Sequence, residues 1–336
     1  MAYNGTLVAL FRASWTAAFA DARPLRTTYI GIPSLDFAIS VLVAFFDNIV
    51  DREDEGAWLL IFNFEVVLQV ATLWVMVEGS RKGQNERKIS LYFLWPLLWN
   101  LFGAAVAFPL YLGFHTRSTA ARRLNPAISK ARSNSLIPIL FAICFFPVMA
   151  MHYAYRLTTD SNRQALIVIC QFSPLILGLL GAVIPREVSE ESHVNKRDGD
   201  VDAIRYSYFL AGLISGGVYL YLLSTTVLSG DPSVGFARVF VPSPSSVIMG
   251  HVEIIRQGAL LFLQYDWIIF NLACALWIFL ILDNHQILLG NTKSWLKRSL
   301  LVFGSLLLLG PGGTVCGVLW LRETHLRNEF MGQDRQ

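Results

Sequence analysis

Long apolar runs separated by short charged breaks dominate this chain. About 20 residues at 1.5 Å rise cover the roughly 30 Å apolar core of a bilayer. Eight runs near that length occur, at 32–50, 57–77, 89–114, 135–155, 164–184, 202–228, 259–282 and 299–321. Only helices or closed barrels satisfy their backbone groups in lipid, and runs this long suit helices. The pattern predicts an all-α fold, a polytopic transmembrane helix bundle. The first run is the least apolar, with Asp36 and Asp47 in it. The third and fifth hold Pro96, Pro109 and Pro174, tolerable where neighbours re-satisfy the freed carbonyls.

The ends are more polar. Leu7 to Ala20 is apolar, but Arg12 interrupts it and no cation precedes it, which argues against a cleaved signal segment. An interfacial helix is expected instead, with Arg12, Arg23 and Arg26 facing headgroups. The expected organisation is an N-terminal interfacial segment at 1–31, a transmembrane bundle at 32–321 and a polar C-terminal tail at 322–336. No repeat and no second domain is apparent. Ser229 to Gly258 holds Pro232, Pro242 and Pro244, then an amphipathic piece with His251, Glu253 and Arg256. It reads as a loop on the headgroups, with a lid as the sharper alternative.

Composition narrows the class. The chain is 54% hydrophobic and 15% charged, against about 25% charged in soluble domains. A net charge of +3, scattered along the chain, gives no basis for nucleic-acid binding. The expected surroundings are the lipid bilayer, in the endoplasmic reticulum. Cys144, Cys170, Cys274 and Cys316 fall inside apolar runs and read as packing residues. The histidines are isolated, so no metal site and no cofactor is expected. Basic residues divide almost evenly between the two sides, which leaves orientation open under the positive-inside rule.

Against this background, acids inside apolar runs stand out. Glu65 lies mid-way along 57–77, where a charge costs about 3 kcal/mol or more. Glu65, Gln69, Thr72 and Met76 share one helical face. The bland alternative is an inter-helix hydrogen bond. Glutamine or asparagine would serve that purpose without an ionisation penalty, so a proton donor supported by an amide is favoured. Burial raises a carboxyl pKa, and a neutral acid in an oily pocket can protonate an epoxide or alkene. Asp266 makes a second such acid, near Trp267 and Asn271, with Phe262, Phe270 and Trp277 on its face. Rings stabilise cations by about 0.5–2 kcal/mol each, although most rings in such a chain serve packing.

A third cluster follows the second run: Glu78-Gly79-Ser80-Arg81, then Asn85. Glu78 and Arg81 are three apart and can pair, orienting a substrate's polar head; a plain helix end is the alternative. Asp36, Ser40, Val43 and Asp47 line one face and suggest part of a polar cavity. Asp47 and Asp51 form a D-x-x-x-D, but ionising a diphosphate takes two opposed acidic clusters around magnesium, and no second cluster occurs. An acidic luminal turn is expected there. Asn100 follows Pro96 by four and is placed to bond its freed carbonyl. His115, His152 and Asn271 read as structural more readily than catalytic.

The Glu78-Gly-Ser-Arg81 stretch with Asn85, after an intramembrane acid and before Phe108-Pro109-Leu110-Tyr111-Leu112-Gly113-Phe114-His115, resembles the fungal integral-membrane terpene cyclases of meroterpenoid biosynthesis. The ascochlorin, ascofuranone and macrophorin type is nearest, the pyripyropene type more distant. The resemblance implies a cofactor-independent cyclase of a lipophilic, farnesyl-type prenylated aromatic or polyketide, with an acid protonating its epoxide or alkene. It implies Glu65 or Glu78, with Asp266, as catalytic residues. Gln69, Arg81, Asn85, Asn100, Trp267 and Asn271 are the expected substrate contacts, and other pathway enzymes are conceivable partners. The alternatives are a proton-coupled transporter or lipid-binding membrane protein using the same acids, and a magnesium-dependent intramembrane prenyltransferase.

Overall fold

The computed structural model describes residues 1, 3–81, 91–121, 126–153, 158–184, 200–284 and 295–333. Its helices are α1 (Thr6–Thr16), α2 (Pro33–Val50), α3 (Glu55–Ser80), α4 (Leu94–Phe102), α5 (Ala104–Ala121) and α6 (Lys130–Ile139). A π-helical turn (Leu140–Phe145) leads into α7 (Phe146–Tyr153), followed by α8 (Asp160–Val183), α9 (Val201–Leu228), α10 (Phe236–Phe240), α11 (Ile254–Asn284) and α12 (Trp295–Gln333). No strand occurs among the described residues.

Among the described residues, seven stretches are long and apolar enough to cross a membrane: α2, α3, α6 through α7, α8, α9, α11 and α12. The expected run at 89–114 is the exception. The backbone leaves the helical region at Gly103 (φ 90, ψ 146), so α4 stops after nine residues. Glycine adopts such a positive φ without penalty from a β-carbon.

The chain divides into two compact units. The first comprises 1–65, 146–173 and 222–268; the second comprises 66–145, 174–221 and 269–336. Of the long helices, α3, α8, α9 and α11 each contribute to both. Helix α3 is apolar on most sides and buried from residue 56 to 79, as expected of a helix that is hydrophobic nearly all round.

In the first unit, ion pairs join distant stretches of chain. Asp47 is fully buried and accepts from Arg163 Nε at 2.8 Å and Nη2 at 3.2 Å. Asp51, also buried, pairs with Arg256 at 2.9 Å. Arg23 approaches both, at 3.5 and 3.4 Å. Both acids are therefore buried and paired, and the half-buried Arg23 turns toward them. Buried charges persist only with countercharges, and α8, α11 and the N-terminal segment supply them. Arg12 is exposed on α1. Asp36 does not line a cavity either. It accepts the backbone N–H groups of Tyr29, Ile30 and Gly31 at 2.8–3.0 Å, fixing the entry into α2. The segment before α11 is pinned rather than loose. Arg238 pairs with Asp54 at 2.6 Å, and Gln264 Nε2 donates to the carbonyls of Arg238 and Val239.

In the second unit, α12 breaks at Gly310 (φ 66), followed by Pro311. A β-carbon there would lie 2.5 Å from the Tyr219 ring, and the Tyr219 hydroxyl donates to the Leu307 carbonyl at 3.3 Å. Helix α12 continues beyond residue 321, and Arg322, Glu323 and Arg327 on it are buried.

Candidate active site

Trp58, Phe62 and Glu65 occur at i, i+4 and i+7 on α3 and so share a face. The Trp58 and Phe62 rings stack at 5.3 Å with 2° between planes. His152 of α7 meets Phe62 edge-on at 5.1 Å and Trp58 at 6.0 Å. Tyr153 meets Phe62 at 5.9 Å. One turn further, Glu65 Oε1 accepts from Gln171 Nε2 at 3.0 Å, and Oε2 lies 3.8 Å from Cys170 Sγ. Among the described residues no cation pairs with Glu65. The amide at this acid is therefore Gln171 of α8. Gln69 is buried, and the Thr72 hydroxyl is spent on the Leu68 carbonyl of its own helix.

Asp266 is buried on α11 in the same unit. Its neighbour Trp267 packs edge-on against Phe64 at 5.5 Å and lies 6.5 Å from Phe240. Phe262, on the same face of α11, packs against Phe45 at 5.7 Å.

Glu78 belongs to the second unit and sits among charges. Its Oε1 accepts from Arg81 Nη2 at 3.0 Å and from Arg322 Nη2. Its Oε2 lies 3.1 Å from His115 Nε2. Arg81 also donates to Glu323 Oε2 and to the Pro126 carbonyl, each at 2.7 Å. Arg327 bridges Glu323 at 3.3 Å and Asp200 at 2.7 Å, and Asp200 accepts the Ile128 N–H at 2.7 Å. Three arginines thus meet three acids. Burial works against the Arg81 charge, but Glu323 and Glu78 more than offset it and hold its pKa well above the usual arginine value. A belt of rings adjoins this cluster: His115 against Trp277 at 5.6 Å, Trp277 near Trp74 at 5.9 Å, and Phe108 against Phe270 at 4.5 Å.

The anticipated Glu78–Arg81 pair is present. Asn85 lies outside the described residues. Asn100 on α4 and Asn271 on α11 are both half-buried. Gln171, Cys170, Arg322, Glu323, Arg327 and Asp200 were not anticipated from the sequence. Spacing signals only partners on the same helix, and these come from other helices.

Comparison with known proteins now adds the family. The CtvD domain matches residues 1–327. The chain belongs to the CtvD family. It is similar to Terpene cyclase DEP1 of Alternaria brassicicola, 27% identical over an alignment covering 96% of this chain and 93% of that one. It is 26% identical to Terpene cyclase alnG of Emericella nidulans, covering 75% of this chain and 70% of the relative. Terpene cyclase ascI of Acremonium egyptiacum is 21% identical, covering 88% and 79%. No solved structure matches the chain. Relatives of this CtvD-family chain are thus fungal terpene cyclases, the group that its Glu78-to-His115 stretch resembles.

Proposed function

We propose that this chain is a membrane-embedded terpene cyclase of meroterpenoid biosynthesis. Its substrate is a farnesyl-type prenylated aromatic or polyketide that enters from the bilayer, and its place is the endoplasmic reticulum. Glu65 protonates the substrate's epoxide or alkene and starts a carbocation cascade. One observation carries this reading: a deeply buried carboxyl whose hydrogen-bond partners are all neutral, next to stacked rings. An ion there lacks a countercharge, whereas a protonated acid fits and can give up its proton to a bound epoxide. The Phe62 ring then holds the developing cation, and burying the prenyl chain contributes about 25 cal/mol per Å².

Glu78 has a different part in this proposal. A carboxylate gripped by two guanidinium groups is a poor proton source, so Glu78 and Arg81 shape the protein rather than start the reaction. Asp266 and Trp267 line the substrate's path as a second polar point. The test uses microsomes carrying Glu65→Gln, Glu78→Gln or Asp266→Asn, given an epoxyfarnesyl-aryl substrate. Glu65→Gln is expected to abolish cyclised product while the protein still accumulates. Undiminished conversion by that variant would sink the proposal, and uptake into vesicles without chemical change would support the transporter instead.

A further inference from the structure

Cyclisation by cations needs a way to stop, and the first unit holds a group suited to it. His152 is 1% exposed, and neither ring nitrogen has a hydrogen-bond partner among the described residues. The indole N–H of Trp58 is likewise unpartnered. Orphaned buried polar atoms cost stability, and phenylalanine would pack against Phe62 and Trp58 without that cost. Packing alone therefore does not account for an imidazole here. Its place does suggest a use. His152 stands edge-on to Phe62 at 5.1 Å, and Phe62 lies one helical turn before Glu65. A proton donor and the Phe62 ring thus follow one another along one face of α3, with the His152 imidazole edge-on to that ring, while the Trp58 ring behind it already carries the Arg52 guanidinium 3.5 Å from its centroid.

We propose that His152 is the base that ends the cyclisation, an assignment that rests on the reading of Glu65 as proton donor. Glu65 gives its proton to the epoxide oxygen, and the C–O bond breaks with its electron pair going to oxygen. Alkene π pairs close the ring C–C bonds, leaving a cation held beside Phe62. The unprotonated nitrogen of the neutral imidazole takes a proton from the carbon next to that cation. The released C–H pair becomes the new C=C bond. The proton then returns to Glu65 through solvent, so substrate and product are isomers and nothing else is consumed.

The test is the product ratio of His152→Phe and His152→Gln in microsomes with the epoxyfarnesyl-aryl substrate, read by chromatography and mass spectrometry. A folding defect lowers all products together, whereas loss of the base changes their ratio. The expected result is at least a 10-fold fall of the parent alkene relative to isomeric alkenes and water-captured alcohols. The parent ratio in both variants would overturn the assignment. Should neither variant accumulate, a substrate analogue with a diazirine at the carbon losing the proton decides it on the unaltered protein. Labelling of Met151, His152 or Tyr153 is expected, and labelling confined elsewhere overturns it. If Glu65→Gln converts like the parent, the cyclase reading itself has failed and the His152 role falls with it. If Glu65→Gln is inactive and only the His152 result is negative, that reading stands.

Discussion

Glu65 and Glu78 lie on one helix and are equally buried, each 3% exposed, yet their company is opposite. Glu65 has an amide and a thiol. Glu78 has two guanidinium groups and an imidazole. The same side chain is thus a candidate for chemistry in one place and a fastening in the other. Burial does not separate the two; the charge of the neighbours does. A buried acid without a cation is costly to keep for stability alone, whereas one enclosed by cations is costly to disturb.

That contrast can be broken in order of expected effect. Arg322→Ala strips one cation from Glu78 and should destabilise the protein by about 3–5 kcal/mol. The four buried thiols supply the readout, since a thiol-reactive dye reports their exposure on heating. A melting curve unchanged from the parent would show that the cluster is no fastening. Glu65→Gln should do the reverse. It lowers conversion about 100-fold or more, the contribution of a general acid, while the melting curve stays near the parent's. Pairing Glu78→Gln with Arg322→Gln should restore stability relative to the single changes, with a coupling of about 1–3 kcal/mol; simple additivity would mean the two side chains act independently. Gln171→Leu has the smallest effect. Losing one hydrogen bond worth about 1 kcal/mol should cut conversion about 5-fold without changing product identity. A change in product identity would move Gln171 from supporting the acid to shaping the cation.

The helices were legible because apolar length is a one-dimensional property. The run at 57–77 became part of α3, and Glu65 stood out within it. Partnership across helices is not one-dimensional. Periodicity placed Glu65 on a polar face but offered Gln69 as its amide, when Gln171 from 106 residues away fills that place. The partners of Asp47 and Asp51 are invisible to spacing because these arginines, at 23, 163 and 256, are scattered along the chain. Arg322 and Glu323 read as tail for the same reason. The stop within 89–114 turned on a single glycine, which no hydropathy pattern marks.

The balance of arginines and acids around Glu78 carries a consequence for descent. Three cations and three anions in contact leave no member free to drift by itself, because one exchange strands its neighbour's charge. Change must then come as linked replacements, Glu78 with Arg322 or Arg327 with Asp200. Among distant relatives these positions should be inherited in matched sets, while the rings around Glu65 are at liberty to vary one by one and remodel the shape of the guest.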